Sequence, residues 1–176
     1  MSEHTIHAPE FSLGQRIKFS EEDYGQIHDF LTDEIELLDS DRLSEWLQLL
    51  DEAIFYPAAV RTTMLRKKGE QFDSQQNWFH DTKAALSFKV RRFEETGFGW
   101  AGDPAPRVRR MMSNLIAHRT DTKALFHVTT NILLTISRGN EFGVDTLSAK
   151  RIDLIMKTAD GFRLLNRKIL MDHTVL

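Results

Sequence analysis

Arg151 to Leu176 reads RIDLIMKTADGFRLLNRKILMDHTVL, and its pattern is that of two strands folded over a tight turn. Ile152, Leu154 and Met156 alternate with Asp153 and Lys157, as in a strand. Thr158-Ala159-Asp160-Gly161 then supplies the turn, where glycine can take the positive φ that a hairpin needs. In the second arm, Phe162, Leu164 and Leu170 project to one face of an unbroken strand, and Leu165, Ile169 and Met171 to the other. Such a strand needs cover on both sides, which one small core cannot give, so the pattern points to an assembly with another chain.

Upstream, three more strand-like stretches, Arg107 to His118, Lys123 to Ser137 and Phe142 to Thr158, are joined by the turns Thr120-Asp121-Thr122 and Arg138-Gly139-Asn140. Before them the period is helical. Ser20 is the expected cap of a first helix, with Glu21, Glu22 and Asp23 at its positive end. Tyr24, Ile27, Leu31, Ile35 and Leu38 form its apolar stripe, and the helix stops near Asp39. A shorter helix from about Asp41 turns Leu43, Trp46, Leu47 and Leu50 inward.

Ala53 to Arg66 is rich in strand formers but interrupted by Pro57 and Ala58, which predicts a bent or edge strand. Lys67 to Asn77 is polar and reads as a loop. Asp81 is the expected cap of a third helix whose face is Ala85, Leu86, Lys89, Val90 and Phe93, ending at Gly97. GFGWAGDPAP, from Gly97 to Pro106, is an irregular segment pinned by Phe98 and Trp100. Helices first and a meander of long strands afterwards is an α+β pattern: a curved antiparallel sheet with the N-terminal helices on one face, forming a cone. Residues 1 to 19 read as an extended arm, and 20 to 176 as a single domain.

Composition narrows the function. The chain of 176 residues is 41% hydrophobic and 28% charged, which suits one globular domain. A formal net charge of -3 with signs interspersed gives no electrostatic case for nucleic acid. No run is long enough to span a bilayer and no secretory leader is evident at MSEHTIHAPE, so a cytoplasmic protein is expected. The absence of cysteine excludes disulfides, a thiolate nucleophile, Cys-containing zinc sites and cysteine-held iron–sulfur clusters, the Rieske type included. Seven histidines, at 4, 7, 28, 80, 118, 127 and 173, show no spacing within a helical stretch that would bring two to one metal. No catalytic, cofactor-binding or metal-binding residue is therefore assigned.

The run Arg107-Val108-Arg109-Arg110 is split by strand geometry, with Arg107 and Arg109 on one face and Arg110 on the other. These arginines suit carboxylate partners within the chain or across an interface. Because a cone can hold a small ligand, an enzyme of cyclase, isomerase or dehydratase type using an Asp/His acid–base pair is the alternative, with Tyr24, Asp39, His80 and His118 as candidates.

Two long segments carry a family likeness. VRRFEETGFGWAGDPAPRVRRMMSN (Val90 to Asn114) and GFRLLNRKILMDHTVL (Gly161 to Leu176) resemble the small (β) subunit of Rieske-type aromatic-ring-hydroxylating dioxygenases. The first matches the family pattern at Thr96, Gly97, Trp100, Asp103, Pro104, Arg107, Arg109 and Arg110. The second matches it at Arg167, Ile169, Leu170, Asp172, Thr174, Val175 and Leu176, and LLDSDRLSEWLQLL (Leu37 to Leu50) fits as well.

The resemblance implies a nuclear transport factor 2-like (cystatin-like) cone and a structural, non-catalytic role in aromatic compound catabolism. It implies a hexamer of three α and three β subunits, with β–β contacts at a trimeric base and ferredoxin and reductase reached only through the complex. The Rieske [2Fe-2S] cluster and the mononuclear Fe(II) that performs cis-dihydroxylation are then expected in the α subunit, and none in this chain. Trp100, Arg107, Arg109, Arg110, Asp172, Thr174 and Leu176 are the expected contributors to subunit contacts.

Overall fold

A computed structural model describes residues 11–61, 72–96, 106–139 and 142–173. The elements run β1 (Leu13–Arg16), α1 (Glu22–Asp39), α2 (Leu43–Trp46), a 3-10 turn (Leu47–Leu49), β2 (Leu50–Arg61), β3 (Phe72–Thr82), α3 (Lys83–Thr96), β4 (Arg107–Thr120), β5 (Leu125–Ser137), β6 (Val144–Thr158) and β7 (Gly161–Met171). The strands form one seven-stranded sheet in the order β1-β4-β5-β6-β7-β2-β3. Every pairing is antiparallel except that of β2 with β7, which is parallel and makes the sheet mixed.

The helices lie on the concave face. Ile27 and Leu31 of α1, Trp46 of α2, and Leu86 and Val90 of α3 meet Leu115, Ala117, Phe126, Val128, Ile155 and Leu164 of the sheet in one buried cluster. Full burial of each large aliphatic side chain there contributes roughly 1.5–3 kcal/mol. Ile17, only 1% exposed, joins that core, so the N-terminal arm becomes part of the sheet and core from Leu13 onward.

Two bulges set which side chains enter the cone. On β7, Asn166 pairs with Leu154 and Leu164 with Ile155, so Leu165 is an extra residue without an opposite number. The alternation is reset there. Phe162 and Leu164 before it, and Arg167, Ile169 and Met171 after it, all turn to the concave side. This corrects the unbroken-strand reading of β7: only Leu165 and Leu170 of its apolar set remain on the outer face. On β6 the inward residues are Ala149, Arg151, Asp153 and Ile155, so the charged members of the alternation face the interior. On β4 a second bulge lies between Ser113 and Ile116, with Asn114 at φ +54°.

The turn at the β6–β7 hairpin matches the sequence. Thr158 pairs with Gly161 across two residues, and Gly161 takes φ +114°, a region that L side chains rarely adopt.

Local corrections follow from tertiary pairing. β2 bends, with register shifts on both sides, but it is an inner strand between β7 and β3 rather than an edge. The edge is β3, whose polar residues 72–77 form a strand and not the loop their composition predicts; a polar strand is tolerated where only one side is paired. The first helix has Glu21, not Ser20, at its N-cap, without a side-chain cap, while the Lys18 amide donates to Glu21 Oε1 at 2.7 Å. The third helix is capped by Thr82 rather than Asp81: Thr82 Oγ1 accepts from the Ala85 amide at 3.4 Å, and Asp81 is bonded to Lys89 Nζ.

Candidate functional site

The interior of the cone holds four charged side chains that sequence patterning did not single out as a group. Glu34 comes from α1, Arg151 and Asp153 from β6, and Arg167 from β7. Arg167 and Asp153 are 0% exposed, Glu34 1% and Arg151 3%. Arg167 donates from Nε to Asp153 Oδ1 at 2.8 Å and from Nη2 to Asp153 Oδ2 at 2.9 Å. It also grips both oxygens of Glu34, through Nη1 and, at 2.8 Å, through Nη2. Trp46 Nε1 donates to Glu34 Oε1 at 3.2 Å, and Arg151 Nη1 reaches Glu34 Oε2 at 3.4 Å.

Two guanidiniums and two carboxylates make this cluster neutral. Burial alone pushes the Glu34 carboxyl up, but the charges of Arg167 and Arg151, with hydrogen bonds from Arg167 and Trp46, bring it from 4.5 down to about 2. Burial works against the Arg167 charge too, yet Asp153 and Glu34 raise its pKa well above the ordinary value. A carboxylate held ionised by bidentate guanidinium contacts is a poor proton acceptor at neutral pH, which removes it as a general base. One signal for Glu34 was available: it stands seven residues after Ile27 and three after Leu31, on the buried stripe itself.

Above the cluster lies a cavity of about 310 Å³, lined mainly by apolar side chains together with Lys89, Arg110, Arg151 and Arg167. No histidine lines it among the described residues. Of the four candidates for acid–base work, the three described side chains, Tyr24, Asp39 and His118, do not converge. Tyr24 and Asp39 sit near opposite ends of the 18-residue α1, which at 1.5 Å per residue places them roughly 22 Å apart. Tyr24 Oη donates to the Leu115 carbonyl at 3.3 Å, and Asp39 accepts from the Arg110 amide at 3.0 Å and from Arg110 Nη1 at 2.5 Å. His118 is on the outer face, paired across strands with His127. The His80 side chain lies outside the described residues, its backbone pairing with Pro57.

Of the expected contact residues, Trp100, Thr174 and Leu176 lie outside the described residues. Arg107 and Arg109 are exposed, the Arg109 side chain at 71%, whereas Arg110 is turned inward onto Asp39. Asp172 accepts from Ser148 Oγ at 2.8 Å and its amide donates to the Ser148 carbonyl at 3.0 Å, tying the end of β7 to β6. Beyond the reach of β1, which pairs with β4 only near His118 and Thr120, the segment from Arg107 is a sheet border among the described residues. Its outward side chains are Arg107, Arg109 and Met111; Met111 stands opposite Leu133 of β5, and Arg107 stands opposite Ser137, which in turn is opposite Val144 of β6. Met111 is 51% exposed and Leu133 37%, an apolar pair beside Arg109, and Val144, 60% exposed, lies in the row of Arg107 and Ser137.

A curved sheet closed over helices, with its interior carboxylates locked in ion pairs, defines a nuclear transport factor 2-like cone without a free acid–base pair among the described residues. The family described as ring hydroxylating beta subunit matches residues 33–176. The beta subunit of 3-phenylpropionate/cinnamic acid dioxygenase from Photorhabdus laumondii subsp. laumondii is 32% identical over 171 residues, covering 95% of this chain and 94% of that one. The chain therefore belongs to the ring hydroxylating beta subunit family, the small subunits of aromatic-ring-hydroxylating dioxygenases.

Solved structures agree on the fold. A naphthalene 1,2-dioxygenase with indole in its active site superposes with a TM-score of 0.73 at 22% identity, over 90% of this chain and 84% of that one. The beta subunit of benzoate 1,2-dioxygenase from Burkholderia mallei gives 0.64 at 15% identity, over 89% and 93%.

Proposed function

We propose that this chain is the structural partner of a catalytic α subunit, and that three copies of each form a hexamer in the cytoplasm that opens aromatic compounds to catabolism by cis-dihydroxylation. The Rieske cluster and the mononuclear iron belong to α. This chain offers no cysteine for such a cluster, and its described residues hold no group of three His, Asp or Glu side chains able to take a metal.

The observation that carries a non-catalytic role is the saturation of Glu34 and Asp153 by Arg167. Where a cone enzyme needs a proton acceptor, this one has a closed ion cluster. The function then resides on the outside. The outer face that carries Arg107, Arg109, Met111, Leu133 and Val144 is offered as the docking surface, because it sets exposed apolar side chains beside two arginines. Asp172, Thr174, Leu176 and Trp100 are proposed as further contacts, and β–β contacts as the trimeric base that fixes neighbouring α subunits at electron-transfer distance. Ferredoxin and reductase meet the assembly, not this chain.

Co-expression tests this reading. Purified α produced with this chain is expected to elute as a hexamer and turn over its aromatic substrate, and α produced without it to lose both properties. Normal assembly and turnover by α alone would remove the structural role.

A further inference from the structure

The cone is not filled. Its cavity of about 310 Å³ lies between the concave face of the sheet and the helices, at the lower end of the roughly 300–1,000 Å³ typical of small-molecule sites. The wall is mostly apolar, with Trp46, Ile132, Leu147, Ile169 and Met171 around it. Its charges are uneven: among the described residues Lys89, Arg110, Arg151 and Arg167 face the space, against Asp81 as the acidic one. The carboxylates that balance the arginines, Asp39, Glu34 and Asp153, do not line the cavity. An anion placed in the cavity would meet the cations first.

Of the two buried arginines at the wall, Arg151 is the less well bonded. Nε donates to Thr130 Oγ1 at 3.1 Å, Nη1 to Glu34 Oε2 at 3.4 Å and Nη2 only to the Met112 sulfur at 3.5 Å. A guanidinium carries five N–H groups, and a thioether is a weak acceptor. Glu34 cannot satisfy it further, because its four acceptor positions are taken by Arg167 twice, Trp46 and the one bond from Arg151. Arg151 thus combines burial, a positive neighbour in Arg167 and spare donors at the wall of an apolar cavity.

We propose that the cone interior binds a small aromatic carboxylate, with the carboxylate on Arg151 and the ring among Trp46, Ile169 and Met171. The site is one of binding rather than reaction, since nothing at its wall among the described residues offers a free base. It is a property of this chain's own interior and does not rest on assembly with α.

The full-length chain titrated with benzoate, and separately with the neutral analogue benzamide, tests it by calorimetry and by methyl spectra of 13C-methionine protein. A benzoate Kd on the order of 0.1–1 mM is expected, with benzamide weaker by about tenfold or more because the charge-assisted bond is missing. Methyl signals of Met171 and Met112 should shift while that of the exposed Met111 stays in place. Ala149→Phe, which fills the cavity from a buried small residue on its wall, should abolish benzoate binding, and Arg151→Met should lower it to the level of benzamide. The wild-type spectra decide the matter should either variant fail to fold. Absence of binding at about 10 mM benzoate, equal affinity for benzamide, or shifts confined to Met111 would overturn the proposal.

Discussion

Asp153 and Arg167 stand directly opposite each other on β6 and β7 and form a two-pronged ion pair, Nε to Oδ1 at 2.8 Å and Nη2 to Oδ2 at 2.9 Å, with both residues at 0% exposure. Register brings them together and the bulge at Leu165 turns Arg167 inward, where α1 adds Glu34. Removing one member of such a set costs more than the pair itself contributes, because the remaining charge is left buried without a partner.

Arg167→Met is accordingly expected to destabilise the chain by roughly 3–5 kcal/mol, since it strands Asp153 and leaves Glu34 with only Arg151 and Trp46. Chemical denaturation at neutral pH measures this. Arg167→Lys should rescue little of it, because an ammonium cannot span two carboxylates as a planar fork does.

Acid should weaken the fold through Glu34. Its pKa is lowered from 4.5 to about 2, so its contribution is present above 4.5 and is lost as the pH falls from there towards 2. The full contribution corresponds to about 3 kcal/mol. Stability measured by denaturant between pH 6 and pH 2 should therefore fall through that window, and Glu34→Gln should flatten the curve there while lowering stability at neutral pH.

The bulge at Leu165 admits a separate test. Deleting Leu165 leaves Leu164 and Asn166 opposite the adjacent residues Ile155 and Leu154, a regular ladder that keeps Arg167, Ile169 and Met171 inward, so a soluble, cooperatively folding protein is expected, and insoluble protein would show that the extra residue is needed for closure. Leu165→Ser keeps the extra residue and should give a soluble chain with unchanged circular dichroism.

Met111→Lys separates folding from assembly. Met111 is 51% exposed, and a substitution there should change stability by no more than about 0.5 kcal/mol. On the proposed docking strip, however, a buried lysine should weaken association with α by roughly tenfold or more, read as subunit dissociation in size-exclusion chromatography at micromolar concentrations.

Much of this protein could be read along the chain. Local period and turn chemistry depend on neighbours a few residues away, so the helix over Tyr24 to Leu38, the strands after Arg107 and the glycine turn at Gly161 were all legible. The two family motifs, at Val90 to Asn114 and Gly161 to Leu176, fixed the subunit class in the same way, and the matching family confirms it. The absence of cysteine is likewise a statement about composition, for which no folding is needed.

Only tertiary pairing decided which face of a strand is the inside. A single unpaired residue, Leu165, reverses the facing of everything after it, and no local pattern marks such a residue. The polar stretch Phe72–Thr82 becomes a strand because β2 offers it a partner. Glu34, Asp153, Arg151 and Arg167, up to 133 positions apart in the chain, become one neutral cluster only when helix and sheet close. Their meaning is a matter of distance in space, which sequence order does not encode locally.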